Sequence, residues 1–288
     1  VNAVLRNTLT SLRPECPDVE TDPVGHVSTV YSHPRVLVAR WVKRYGVEDT
    51  ILLCEYDNQV PRMVLRANGL KCTPAALAMS LEEEGVETSP GRYFPECLEI
   101  VGGGDLTRLE SFHRGLFQVQ DEATLAAVRL LAPRPGERII DLCAAPGGKT
   151  TYIAELMENR GQLVAHDISK YRLEFLKSNI ERLGVANCEV IWTDPASDGL
   201  SSPEGRAAMR ARILARGRSS TAGTDADAVL VDAPCTGTGT LARRADSRWK
   251  FDLSARVRSK SYVEDHERYH PNEIFAAQAS RQLKLLLQ

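Results

Sequence analysis

The stretch Arg138-Ile139-Ile140-Asp141-Leu142-Cys143-Ala144-Ala145-Pro146-Gly147-Gly148-Lys149-Thr150 constrains the fold of this chain more than any other. Ile139 and Ile140 predict a short buried strand ending on Asp141. Small residues predict a turn after it, and Thr150 to about Met157 predicts a helix stopped by Gly161. In this order the three make the nucleoside- or phosphate-cradling element of a doubly wound sheet. Glycine there lets a ligand approach the backbone, and the helix start offers unpaired N–H groups.

Two ligand classes compete for that element. Gly148-Lys149-Thr150 matches the tail of a P-loop, and Asp232 after Ala228-Val229-Leu230-Val231 could serve as its acidic partner. A P-loop needs glycine where Cys143 stands, however, and Pro146 removes one N–H donor from such a cradle. The next apolar run, Gly161 to Asp167, ends in a carboxylate about 20 residues beyond the turn, where an acid accepts ribose hydroxyls. Ser169 is the better N-cap for the following helix, which leaves Asp167 for a ligand. Leu173, Leu176, Ile180 and Leu183 form that helix's buried stripe, and Gly184 stops it. A third strand, Cys188 to Trp192, ends near Asp194, within reach of an adenine amino group. No Gly-x-Gly-x-x-Gly fingerprint is present, which argues for a nucleoside rather than a dinucleotide.

Composition narrows the class only loosely. The chain has 288 residues, 43% hydrophobic and 26% charged, enough for about two globular domains. A net charge of −2 supplies no global pull on nucleic acid, so any such contact must be local. Seven cysteines are widely spaced without a Cys-x-x-Cys, which speaks against zinc and disulfide scaffolds and fits a reducing cytoplasm. Cys143 and Cys235 stand in motifs; Cys16, Cys54, Cys72, Cys97 and Cys188 are expected to be buried packing residues. No apolar run reaches membrane-spanning length. The six histidines show no triad-like arrangement, and none is assigned catalysis.

Ahead of the glycine turn, residues 33–46 predict a helix with Val36, Leu37, Ala39 and Trp41 among its apolar positions. Arg62–Arg66 and Leu98–Val101 predict strands, and Thr73-Pro74 opens a helix that Gly85 stops. The Arg-rich segment 203–218, followed by the loop Ser219–Asp227, reads first as a solvated helical insertion and second as an RNA-backbone contact.

Asp141 to Thr150, Asp167 with Arg172, and Asp232-Ala233-Pro234-Cys235-Thr236-Gly237-Thr238-Gly239 resemble the RsmB/Sun (Nop/Sun) RNA cytosine-5 methyltransferases. The likeness is greatest to the bacterial RsmB branch, which modifies small-subunit ribosomal RNA. Tyr31-Ser32-His33-Pro34 with Trp41, Leu65 to Asn68 and Phe117 to Asp121 are similar to the family's leading segments. The resemblance implies a Rossmann-like class I methyltransferase sheet at 111–288, incomplete at its C-terminal strands. It also implies a small α/β RNA-facing domain at 21–110, with the end of a helical NusB-like domain and a linker at 1–20. It implies S-adenosylmethionine as cofactor, held by Cys143, Ala144, Ala145, Pro146, Gly147, Gly148, Lys149, Asp167, Arg172, Asp194 and Asp232. An RNA partner, a monomer and a cytoplasmic location are expected, with Arg243, Arg244 and Lys250 next to the catalytic turn as phosphate contacts.

Chemistry alone would make Cys235 the nucleophile, because it follows a strand end beside a Thr-Gly-Thr-Gly turn whose N–H groups could lower its pKa. The resemblance implies otherwise. The attacking cysteine belongs to a later Thr-Cys motif, Cys235 assists product release, and Asp232 contacts the cytosine and the cofactor's methionine end. These residues contain no Thr-Cys pair, and the chain starts on valine. The expectation is therefore a fragment cut at both ends and inactive as it stands, with Ala228–Val231 an apolar strand edge prone to aggregation. The alternative is a degenerate relative that binds RNA without catalysis.

Overall fold

The computed structural model describes residues 16–102, 104–193 and 226–251. Among these, residues up to Pro61 and from Cys235 onward form one compact unit, and Arg62–Pro234 form another.

The first unit is helical. Helices α1 (Pro23–Val30), α2 (Arg35–Tyr45) and α3 (Val47–Asn58) join two 3-10 segments, Thr238–Thr240 and Ala245–Phe251. Asp22 caps α1 by accepting the Gly25 N–H at 2.9 Å. The core comprises Val27, Leu37, Val38, Trp41, Cys54, Leu241 and Phe251. Helical spacing puts 37, 38 and 41 on one face, so Val36 and Ala39 are exposed. Helix α3 escapes sequence reading because its buried positions are Thr50, Cys54 and Asp57, while Leu52 and Tyr56 face solvent. The Arg248 guanidinium is buried and donates to the carbonyls of Ser32 and Asp57 and to Asn58 Oδ1 at 2.8–3.2 Å.

The second unit carries two sheets. The antiparallel one, ordered β2-β3-β1-β4, uses β1 (Val64–Ala67), β2 (Glu87–Pro90), β3 (Cys97–Gly102) and β4 (Phe117–Val119), with α4 (Pro74–Glu83) and the short α5 (Glu110–His113). Thr73 caps α4 through the Ala76 N–H, as its position before Pro74 predicts. Helix α6 (Glu122–Leu131) leads into the parallel sheet. That sheet comprises β5 (Arg138–Asp141), β6 (Gln162–Asp167), β7 (Cys188–Trp192) and β8 (Ala228–Leu230), with α7 (Gly148–Leu156) and α8 (Lys170–Leu183) between strands.

The parallel order is β7-β6-β5-β8. The chain steps outward from β5 to β7 and then returns to the other side of β5, which makes the carboxyl end of β5 a topological switch point. Tyr152, Ile153, Met157, Leu125 and Val128 from the helices pack on Ile139 and Leu163 of the strands. This is the expected doubly wound α/β fold. Among the described residues β8 is the outer strand, and Val229 is exposed on it. Cys54 and Cys97 are buried as expected, whereas Cys16 is exposed.

A candidate cofactor site at the carboxyl tips of the parallel sheet

The turn after β5 is stitched to both neighbouring strands. The Leu142 N–H donates to the Leu230 carbonyl at the end of β8, and the Ala144 N–H donates to the His166 carbonyl of β6. His166 is buried with Nδ1 3.0 Å from the Leu142 carbonyl. Ala144 and Ala145 are buried against Ala165, Leu173 and Leu176, so their side chains serve packing. The Ala145–Pro146 peptide is cis.

Gly147 has φ +107°, a left-handed backbone that favours glycine, and a Cβ there would lie 2.6 Å from Leu176 Cδ1. A Cβ on Gly148 would lie 3.4 Å from the Gln120 amide, an ordinary contact distance. Helix α7 opens on Gly147 with no side-chain cap. Its first turn includes Gly148 and Lys149, two residues earlier than Thr150.

Three carboxylates surround the turn. Asp141 is buried and accepts from Thr150 Oγ1 at 2.8 Å and from the Cys143 N–H at 3.3 Å. Burial pushes its pKa up to about 6 despite those bonds. Asp167 is 4% exposed and accepts from the Ala145 N–H at 3.1 Å and the Ser169 N–H at 2.8 Å. The Arg172 guanidinium lies 3.7 Å from Asp167 and donates to the Ala145 carbonyl. Ser169 does cap α8, through the Arg172 N–H. Asp167 is nevertheless not left free, because it clasps the turn to the β6 tip. A carboxylate has about four acceptor positions, so a ligand hydroxyl can still join these donors.

Asp232 differs. Its side chain is 55% exposed and pairs with Lys149 Nζ at 2.6 Å, across the switch point between β5 and β8. Cys143 lies among all three acids: burial, then Asp141, Asp167 and Asp232, push its thiol up to about 12. Cys235 is exposed and accepts from the Gly237 N–H at 3.4 Å. Arg243, Arg244 and Lys250 are exposed in the other unit, while Asp194 and the segment 203–218 lie outside the described residues.

This charge pattern suits a ligand bearing hydroxyls and positive charge. A triphosphate would meet three carboxylates and a lysine already paired, so the P-loop reading fails on electrostatics. Among the described residues no group of His, Cys, Asp or Glu is arranged to hold a metal ion, and no helix is long and apolar enough to cross a membrane.

Sequence reasoning missed Arg66 and Gln120, which reach the first turn of α7 from the antiparallel sheet and its exit. The available signal was a lone arginine inside the apolar run Val64–Ala67.

Known proteins share this arrangement. The family model described as 16S rRNA methyltransferase RsmB/F matches residues 128–255, and that of the RsmF/B-like ferredoxin-like domain matches residues 33–107. The probable ribosomal RNA small subunit methyltransferase B of Bacillus subtilis (strain 168) is 31% identical over 261 residues, covering 89% of this chain and 53% of the relative. The 28S rRNA (cytosine-C(5))-methyltransferase of Mus musculus is 32% identical over 220 residues, covering 75% of this chain and 25% of the relative. The crystal structure of PH0851 has a TM-score of 0.73 at 28% identity, covering 98% of this chain and 54% of that one. The chain spans about half the length of the bacterial relatives it matches. The glycine turn and the Asp-Ala-Pro-Cys segment fall within one family model, the antiparallel strands Val64–Ala67 and Cys97–Gly102 within the other, and the chain belongs to the RsmB/F family of rRNA methyltransferases.

Proposed function

We propose that this chain takes part in transferring a methyl group from S-adenosylmethionine to carbon 5 of a cytosine in RNA, with small-subunit ribosomal RNA as the substrate. The observation that carries this reading is the Lys149–Asp232 pair at the switch point, beside the turn that Asp167 clasps. The cofactor's sulfonium is a cation and its ribose offers hydroxyls, which fits a crevice lined by carboxylates. The cofactor supplies an electrophilic methyl group.

The chain's own residues divide the remaining work. The Cys143–Lys149 turn, Asp167 and Arg172 hold the nucleoside half, and Asp194 serves its adenine. Lys149 holds the Asp232 carboxylate in place, so that Asp232 can hydrogen-bond the cytosine while attracting the methionine end. The Cys235 thiol assists product release, and Arg243, Arg244 and Lys250 contact phosphates. Residues 21–110 act as the RNA-facing domain and 111–288 as the methyltransferase domain, working as a cytoplasmic monomer.

Calorimetric titration with S-adenosylmethionine tests the cofactor reading: the parent should bind, and Asp167→Ala should weaken binding at least about tenfold. Equal affinities would remove Asp167 from the site. For RNA, Arg243→Ala with Arg244→Ala should lower the slope of log affinity against log salt by about 1.4 on single strands. An unchanged slope would take both arginines off the RNA surface. Methyl transfer by these residues alone would assign the attack on the base to Cys235.

A further inference from the structure

Arg66 lies in β1, between β3 and β4 of the antiparallel sheet, and its side chain has no exposed surface. A guanidinium in that position needs most of its donors satisfied, because ionic desolvation costs several kcal/mol; both Nη atoms are, while Nε has no hydrogen-bond partner among the described residues. Every hydrogen bond it donates is made on or beside α7. Nη2 donates to Glu155 Oε1 at 2.6 Å and to Thr151 Oγ1 at 3.1 Å. Nη1 donates to the Gly148 carbonyl at 2.8 Å and to Gln120 Oε1. The guanidinium also lies over the Tyr152 ring, 4.8 Å from its centroid.

Residues 148, 151, 152 and 155 follow the helical repeat, so Arg66 grips one face of α7 along its length. The intervening residues face other partners: Lys149 meets Asp232, and Thr150 meets Asp141. Thr151 passes the grip to the turn itself, because its hydroxyl donates to the Gly147 carbonyl at 2.9 Å. The rotation of α7 about its own axis therefore determines where the Lys149 ammonium falls. A planar fork that binds three points of one helix face at once is suited to fixing that rotation.

We infer that Arg66 is a positioning residue for the cofactor site: it sets the rotation of α7, and through it the Lys149–Asp232 pair. This rests on the cofactor reading proposed above. The consequence is specific to charge. Asp232 distinguishes the sulfonium of S-adenosylmethionine from the neutral thioether of S-adenosylhomocysteine only while Lys149 holds it in place. Loss of Arg66 should therefore change the ratio of the two affinities, whereas simple destabilisation lowers both alike.

The test is calorimetric titration of the chain with each compound, alongside melting temperatures, for the parent, Arg66→Lys and Thr151→Val. Lysine keeps a positive charge for Glu155 but cannot bind Gly148, Thr151 and Glu155 together. Arg66→Lys should weaken S-adenosylmethionine about tenfold and move the affinity ratio at least about threefold. Thr151→Val keeps the Arg66–Glu155 pair and should move the ratio the same way by less. If Arg66→Lys does not fold, Thr151→Val and Gln120→Leu decide by the same criterion. An unchanged ratio in every folded variant, at any melting temperature, overturns the inference and leaves Arg66 purely structural. A parent that binds neither compound overturns the cofactor reading itself, and this inference with it.

Discussion

Strand β6 ends on an aspartate and β8 is followed two residues later by another, yet the two carboxylates lead opposite lives. Asp167 is 4% exposed and occupied by two backbone N–H groups with a guanidinium nearby, whereas Asp232 is 55% exposed and answers to Lys149. The cysteines of the two motifs repeat the contrast: Cys143 is half-buried with its thiol pushed up to about 12, and Cys235 is exposed. The β6 side is built by folding, with each polar group committed to holding the turn. The β8 side is left open to solvent. A cofactor cradle must be preorganised, while the groups that meet a large polymer must stay accessible.

The contrast breaks most readily at the two aspartates. Asp167→Ala would leave the Ala145 and Ser169 N–H groups without their buried acceptor and should cost about 3–5 kcal/mol of stability in chemical denaturation. Asp232→Ala removes a largely exposed ion pair and should cost less than about 1 kcal/mol while weakening S-adenosylmethionine binding. Similar stability losses at both sites would show that neither tip is more committed to the fold than the other.

Asp141 sharpens the same comparison through pH. Its folded pKa, raised by burial from 3.8 to about 6, corresponds to about 3 kcal/mol. Below pH 3.8 the group is protonated in both states. As pH rises toward 6 the unfolded chain ionises first, so the stability contributed by Asp141 falls, and it levels off above that range. Denaturation curves of the parent and Asp141→Asn should therefore diverge with pH in this window, the parent losing ground. A constant difference from about pH 4 to 7 would show that Asp141 ionises as freely as in solvent.

The same contrast can be read at the thiols. At about pH 8 a brief pulse of iodoacetamide should label Cys235 at least about a hundredfold faster than Cys143, because only the thiolate reacts. Peptide mass mapping would read the ratio. Comparable labelling would mean that Cys143 is neither buried nor ringed by the three carboxylates in solution.

Much of the parallel sheet was legible in the sequence because it is written locally. Apolar pairs such as Ile139-Ile140, the Ser169 cap and the Gly184 stop each act over a few residues, and among the described residues each predicted element appears within about two residues of its place. Helix α3 was not legible, because Thr50, Cys54 and Asp57 line its buried face and remove the apolar period that reveals a helix. On α2, adjacent apolar residues do not by themselves say which face is covered: Leu37 and Val38 are buried and Val36 is exposed.

By itself the sequence determined which residues stand at the strand ends, since a strand, a tight turn and a capped helix are short-range consequences of residue type. Tertiary structure alone decided which of those residues were spent on the fold. Asp167 became a clasp because the Ala145 N–H came to lie beside it. Asp232 stayed open because Lys149 reached it at the surface. Arg66 acquired its role because a second sheet, 82 positions away in sequence from Gly148, packs against α7. Such partnerships depend on long-range packing in a low-dielectric interior, where burial and not residue identity determines what an ionisable group is free to do.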